Sequence, residues 1–165
     1  MIRLLVSNDD GVHSDGLQAL VDAVGDLGEV WVVAPETEQS ASSHSLSLHR
    51  PLRIRQYAER WFGVDGTPAD CVYLAYYHLL KDAPPTLVLS GINHGANLAE
   101  DVIYSGTVAA AMEGSLLGVP SIAFSLATRR TFDFTQSAKF ARALVKTALA
   151  APLDNAWHEL YGIDV

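Results

Sequence analysis

The chain has 165 residues, 49% hydrophobic and 18% charged, which is a one-domain length and too apolar a composition for a disordered polypeptide. Eleven Lys and Arg against 19 Asp and Glu give a formal net charge of −8, the opposite of the balance that neutralises a nucleic-acid duplex. A single cysteine, Cys71, excludes an internal disulfide and a CxxC site, and no apolar run approaches the ~20 residues of a membrane span. The first residues lack the shape of a signal peptide, so a soluble cytoplasmic protein is expected.

Residues 2–7 form a short apolar run ended by Asn8-Asp9-Asp10-Gly11, which reads as a buried strand and a tight loop. Leu17, Leu20, Val21, Val24 and Leu27 recur at helical spacing and predict a helix over 16–27, with Gly28 as its stop. A second apolar strand is expected at 30–34, closed by Pro35. This strand-helix-strand unit points to a parallel sheet with helices on its faces. The polar loop 35–45 holds serines at 40, 42, 43 and 45, and short strands are expected at 46–56 and 61–64. Thr67-Pro68-Ala69-Asp70 has the residues of a helix start: a capping Thr, Pro at the first position and an acid in the first turn. Val72, Ala75, Tyr76 and Leu79 make its apolar stripe, where Cys71 packs as a small hydrophobe.

A third cycle begins with a strand at 86–90, followed by a glycine- and asparagine-rich loop to Tyr104. A small-residue helix starts at Ser105-Gly106-Thr107, runs to Leu117 and stops at Gly118. Another strand is expected at 121–125 and an amphipathic helix at 135–150, with Ala138, Ala141, Leu144, Val145 and Ala148 inward. Residues 151–165 carry Trp157, Leu160, Tyr161 and Ile163 without a clean period. The fold class is α/β, doubly wound, with one core over 1–150 and a divergent or truncated tail after it.

In a parallel α/β sheet, ligands bind outside the carboxyl ends of the strands. The loops leaving the first, second and third clear strands must therefore share one edge. Adjacent carboxylates at Asp9 and Asp10 repel, and a divalent cation with oxygen ligands relieves them. Asn93 and a serine hydroxyl such as Ser40 complete an oxygen-only set suited to Mg²⁺ or Mn²⁺. The plainer alternative is a solvated turn in which one Asp caps the next helix. Ser105-Gly106-Thr107 opens a helix whose free N–H groups favour an anion, and both hydroxyls can donate to phosphate oxygens. Ordinary capping by Ser105 explains the same residues equally well. His13, His44 and His94 fall in strand-end loops, whereas His49, His78 and His158 do not.

Five stretches taken together resemble the SurE (survival protein E) nucleotidases. They are Ser7-Asn8-Asp9-Asp10-Gly11, Ala34-Pro35 followed by Ser40, Gly66 to Val72, Ser90 to Asn97, and Tyr104 to Gly114. The resemblance implies a Rossmann-like three-layer sandwich with a mostly parallel sheet. It also implies a cytoplasmic phosphatase of nucleoside 5′- and 3′-monophosphates that uses one divalent metal ion, Mg²⁺ or Mn²⁺. The implied metal ligands are Asp9, Asp10, Ser40 and Asn93; the implied phosphate-binding residues are Asn97, Ser105, Gly106 and Thr107. Members of the family form dimers or tetramers. His44 is the expected proton-handling residue, with Asp9 as the competing choice. SurE proteins usually continue past this length, and residues 154–165 do not match the expected continuation. A binder of metal and nucleotide without turnover is the second hypothesis. A receiver-type signalling domain is the third, and strand 86–90 speaks against it by ending in Ser90-Gly91 where that class needs an aspartate.

Overall fold

The computed structural model describes residues 1–128 and 133–150. Among these residues six strands form one sheet: β1 (Arg3–Ser7), β2 (Glu29–Pro35), β3 (Ile54–Ala58), β4 (Trp61–Val64), β5 (Leu87–His94) and β6 (Ser121–Leu126). The helices are α1 (Asp15–Val24), α2 (Pro68–Leu74), α3 (Asp101–Tyr104), α4 (Gly106–Leu116) and α5 (Thr135–Ala150), and α2 runs on into a wider π-type turn over Ala75–Leu79.

The strand order is β3-β4-β2-β1-β5-β6, and every pairing is parallel except β3 with β4. Strand pleating sends alternate residues of β1 to opposite faces. Leu4 and Val6 join Leu17, Leu20 and Val24 of α1 and Ala141 and Val145 of α5 in one core. Leu5 joins Val33, Val64 and Val88 with Cys71, Val72 and Ala75 beside α2 and Ala110 of α4 in the other. These two cores make the three-layer sandwich expected from the sequence. The chain winds outward from β1 through β2 and β4, then returns to place β5 on the opposite side of β1. The crevice between the carboxyl ends of β1 and β5 is therefore the topological switch point.

Local signals explain most elements. Thr67 caps α2 through a reciprocal box, accepting from Asp70 N–H while the Asp70 carboxylate accepts from Thr67 N–H at 2.9 Å. Several expected boundaries move. Helix α1 stops at Val24, and Leu27 N–H closes a turn onto the Val24 carbonyl at 2.9 Å, so Leu27 joins the core without being helical. Of the expected 46–56 strand only 54–56 pairs, antiparallel to β4, and β3 runs on to Ala58. Strand β5 continues through Gly91 to His94, with a register shift against β6 between Ser90 and Asn93. The stretch before Tyr104 contains the short helix α3. Leu144 of α5 is 37% exposed, and Ala138, Ala141, Val145 and Leu149 make the inward stripe. The tail expected to diverge, 151–165, lies outside the described residues.

Candidate active site

The switch-point crevice is a cleft of about 350 Å³, at the small end for ligand sites. Loops after β1, β2 and β5 and the start of α4 form its walls. Asp9, Asp10, Ser40, Asn93, Asn97 and Ser105 all line it, so residues up to 96 positions apart meet as expected. Glu38, Asp101, Tyr104 and His94 line it as well. Glu38 lies inside the serine loop, where its charge is the signal; Asp101 lies in the glycine- and asparagine-rich loop, where only its charge marks it.

Neither carboxylate of the acidic pair is a solvated cap. Ser14 caps α1, and Asn8 Nδ2 donates to Ser14 Oγ at 2.7 Å and to the Gly11 carbonyl at 3.1 Å, shaping the turn that presents Asp9 and Asp10. Asp9 is only 5% exposed. Burial pushes its pKa up; the hydrogen bond from the Thr107 hydroxyl works in the other direction, and the neighbouring Asp10 adds to the rise. Burial also raises Asp10. Its Oδ2 accepts from His94 N–H at 3.1 Å, and the His94 ring and Glu38 act on it in opposite senses. Two neighbouring carboxylates, Asp9 buried and Asp10 half-buried, gain from a cation between them.

The neutral donors fit the same ion. Ser40 donates its hydroxyl proton to Glu38 at 2.6 Å, which leaves its oxygen lone pairs available. Asn93 Nδ2 donates to the Gly95 carbonyl at 3.0 Å, leaving Oδ1 as an acceptor. Among the described residues no group of three His, Cys, Asp or Glu stands together as a cage. A cation held here would rest on two carboxylates plus neutral oxygens, a set for a hard ion.

The helix terminus presses on the acidic pair. A Cβ at Gly106 would lie 2.7 Å from Asp9 Cβ and 2.9 Å from Ser42 Oγ, so only glycine lets α4 approach so closely. Ser105 caps α4 by accepting Val108 N–H at 3.2 Å and also lines the cleft. Thr107 differs from expectation: it is fully buried and its hydroxyl donates to Asp9, so its side chain orients the carboxylate instead of facing a ligand. Asn97 Nδ2 donates to Ser125 Oγ at 2.7 Å. His44 does not line the cleft. Its Nε2 sits 2.6 Å from Glu113 Oε2 on α4, a partner that lies 69 positions away in sequence.

An α/β domain with an acidic, oxygen-lined cleft meeting a helix N-terminus at its switch point defines a narrow class. A family model described as "Survival protein SurE" matches residues 4–165. A protein named 5′-nucleotidase SurE from Myxococcus xanthus is 73% identical over 151 residues, covering 92% of this chain and 58% of its own. One of the same name from Vibrio cholerae is 57% identical over 152 residues, covering 92% and 60%. The crystal structure of the SurE protein from Aquifex aeolicus superposes with a TM-score of 0.87 at 48% identity, over 92% of this chain and 62% of that one. The chain belongs to the SurE family. It spans about three-fifths of the length of the curated relatives it matches. No helix among the described residues is long and apolar enough to cross a membrane.

Proposed function

We propose that this chain is the nucleotidase core of a phosphatase that hydrolyses nucleoside 5′- and 3′-monophosphates with the help of one divalent cation, Mg²⁺ or Mn²⁺. The observation that carries this reading is electrostatic. Four carboxylates (Asp9, Asp10, Glu38 and Asp101) line the cleft, and among the described residues no Lys or Arg lines it. A cation between a phosphate dianion and these carboxylates offsets their repulsion. The names of the relatives, 5′-nucleotidase SurE, support the nucleotide as substrate.

In this reading Asp9, Asp10, Ser40 and Asn93 hold the cation. When bound, it would neutralise phosphate charge and lower the pKa of the attacking water. The backbone N–H groups at Gly106 and Thr107, with the positive end of α4, bind phosphate oxygens, and Asn97 and Ser105 orient the ester from the cleft wall. Thr107 fixes the rotamer of Asp9. His44 is turned away to Glu113, so proton handling at the reacting atoms falls to Asp9, the competing choice from sequence. Cytoplasmic location and assembly as a homodimer or homotetramer belong to the same proposal, on family resemblance alone.

The test is phosphate release from 5′-AMP and 3′-AMP with added Mn²⁺, run beside EDTA and Asp9→Asn controls. Release that vanishes in both controls is the expected result. No release from a folded protein that still binds Mn²⁺ would replace catalysis with binding alone.

A further inference from the structure

His44 lies in the 36–45 loop, and the carboxylate it meets is unusual for its place. Glu113 is 5% exposed on α4, a helix whose other buried positions are Gly, Ala and Thr. A carboxylate out of water needs hydrogen-bonding compensation, and the His44 ring at 2.6 Å supplies it.

The loop needs the contact in turn. Ala41 and Ser43 have φ of 56° and 50°, a left-handed conformation that residues with a Cβ keep only where the surroundings impose it. The imposing bonds are visible. Gln39 N–H donates to the Asp9 carbonyl at 2.8 Å, and Ser43 N–H donates to the Tyr104 carbonyl at 3.1 Å. Ser45 Oγ donates to the Ser42 carbonyl at 2.8 Å, and Thr67 Oγ1 donates to the Ser45 carbonyl at 2.7 Å. Of these, Ser43 with Tyr104 docks the loop immediately before α4, and His44 with Glu113 docks it on α4 itself. Ser40, between the two strained residues and the β2 end of the loop, faces the cleft.

We propose that Glu113 is a positioning residue. By holding the His44 ring it clamps the 36–45 loop to α4. The clamp locks the Ser40 hydroxyl and the N-terminus of α4 into one rigid wall of the cleft. The consequence for turnover rests on the phosphatase reading above; the clamp itself does not.

The full chain is compared with Glu113→Ala, Glu113→Gln, His44→Ala and the His44→Ala/Glu113→Ala double variant. Hydrogen exchange is followed at the amides of Ser42 and Ser43, and Mn²⁺ affinity by calorimetry. In Glu113→Ala and His44→Ala those two amides should exchange roughly tenfold to a hundredfold faster, the factor expected when one hydrogen bond to a buried carboxylate is lost. The double variant should be no faster than the worse single one. Glu113→Gln keeps an acceptor for the ring and should stay within about threefold of the parent. Mn²⁺ should bind more weakly in both alanine variants, and the turnover loss should fall on KM more than on kcat. Unchanged exchange in Glu113→Ala, or losses that add in the double variant, overturn the clamp. Should Glu113→Ala fail to fold, His44→Ala and Glu113→Gln carry the same comparison from the loop side. A parent that releases no phosphate refutes the activity while exchange and Mn²⁺ binding still decide the clamp.

Discussion

Replacing Gly106 by alanine tests whether close approach of α4 to Asp9 builds the site. The new Cβ would sit 2.7 Å from Asp9 Cβ, 2.9 Å from Ser42 Oγ and 3.0 Å from Asp9 Oδ2. Ordinary carbon contacts begin near 3.5 Å, so the helix start must retreat by several tenths of an ångström or Asp9 must turn. Either movement stretches the bond from the Thr107 hydroxyl to Asp9. Overpacking of this kind costs roughly 1–3 kcal/mol, and a weakened hydrogen bond to a charged group adds to it. With a urea slope of about 2 kcal/mol/M, the midpoint should fall by ~1 M. Gly114→Ala supplies the control from the far end of the same helix. Its Cβ would lie 2.4 Å from Ser121 Oγ and 2.8 Å from Val88 Cγ2. It should lower the urea midpoint comparably while leaving Mn²⁺ affinity unchanged, whereas Gly106→Ala should weaken Mn²⁺ binding about tenfold or more, the equivalent of ~1.4 kcal/mol. A Gly106→Ala protein with the parent's midpoint and the parent's Mn²⁺ affinity would refute the reasoning.

Three further outcomes follow from particular groups. Asp9→Asn removes a carboxylate whose pKa is raised by burial and by Asp10. Ionisation of such a group opposes folding above its folded-state pKa, so the variant should unfold at an equal or higher urea concentration at neutral pH while losing Mn²⁺ binding; a lower midpoint with retained affinity would contradict this. Asp26 behaves in the opposite way, since its hydrogen bonds to Arg142 on α5 hold its pKa down to about 2. That pair contributes above the ordinary carboxylate value of 3.8 and is lost as pH falls towards about 2, so Asp26→Asn should flatten an acid titration followed by circular dichroism over that interval. Ser7 and Ser90 are register partners on β1 and β5, and each hydroxyl is buried without a hydrogen-bond partner among the described residues. Ser7→Ala should therefore leave stability unchanged or raise it by up to ~1 kcal/mol, checked by urea denaturation; a clear loss would mean that the hydroxyl is engaged.

The winding of the sheet was legible in the residue pattern alone. Apolar runs separated by periodic helices define parallel strands, and parallel strands must deliver their following loops to one edge. Asp9, Ser40 and Asn93 were therefore legible as neighbours before any coordinate, and the capping box at Thr67 was legible because its signal spans four residues. What the sequence misplaced depended on partners far along the chain. The 46–56 stretch has strand composition, yet only its last three residues find β4 to pair with. Gly91 to His94 has loop composition, yet β6 extends it as strand. Side-chain direction likewise depended on how distant elements pack. Thr107 carries a hydroxyl at a helix start, which is equally suited to a phosphate or to a carboxylate; the approach of α4 to β1 gives it Asp9. His44 sits in a site-bearing loop, next to the left-handed Ser43, and its ring meets Glu113, 69 residues away. Hydrogen bonds of this range depend on how two elements dock, and docking is set by the whole core rather than by the residues on either side.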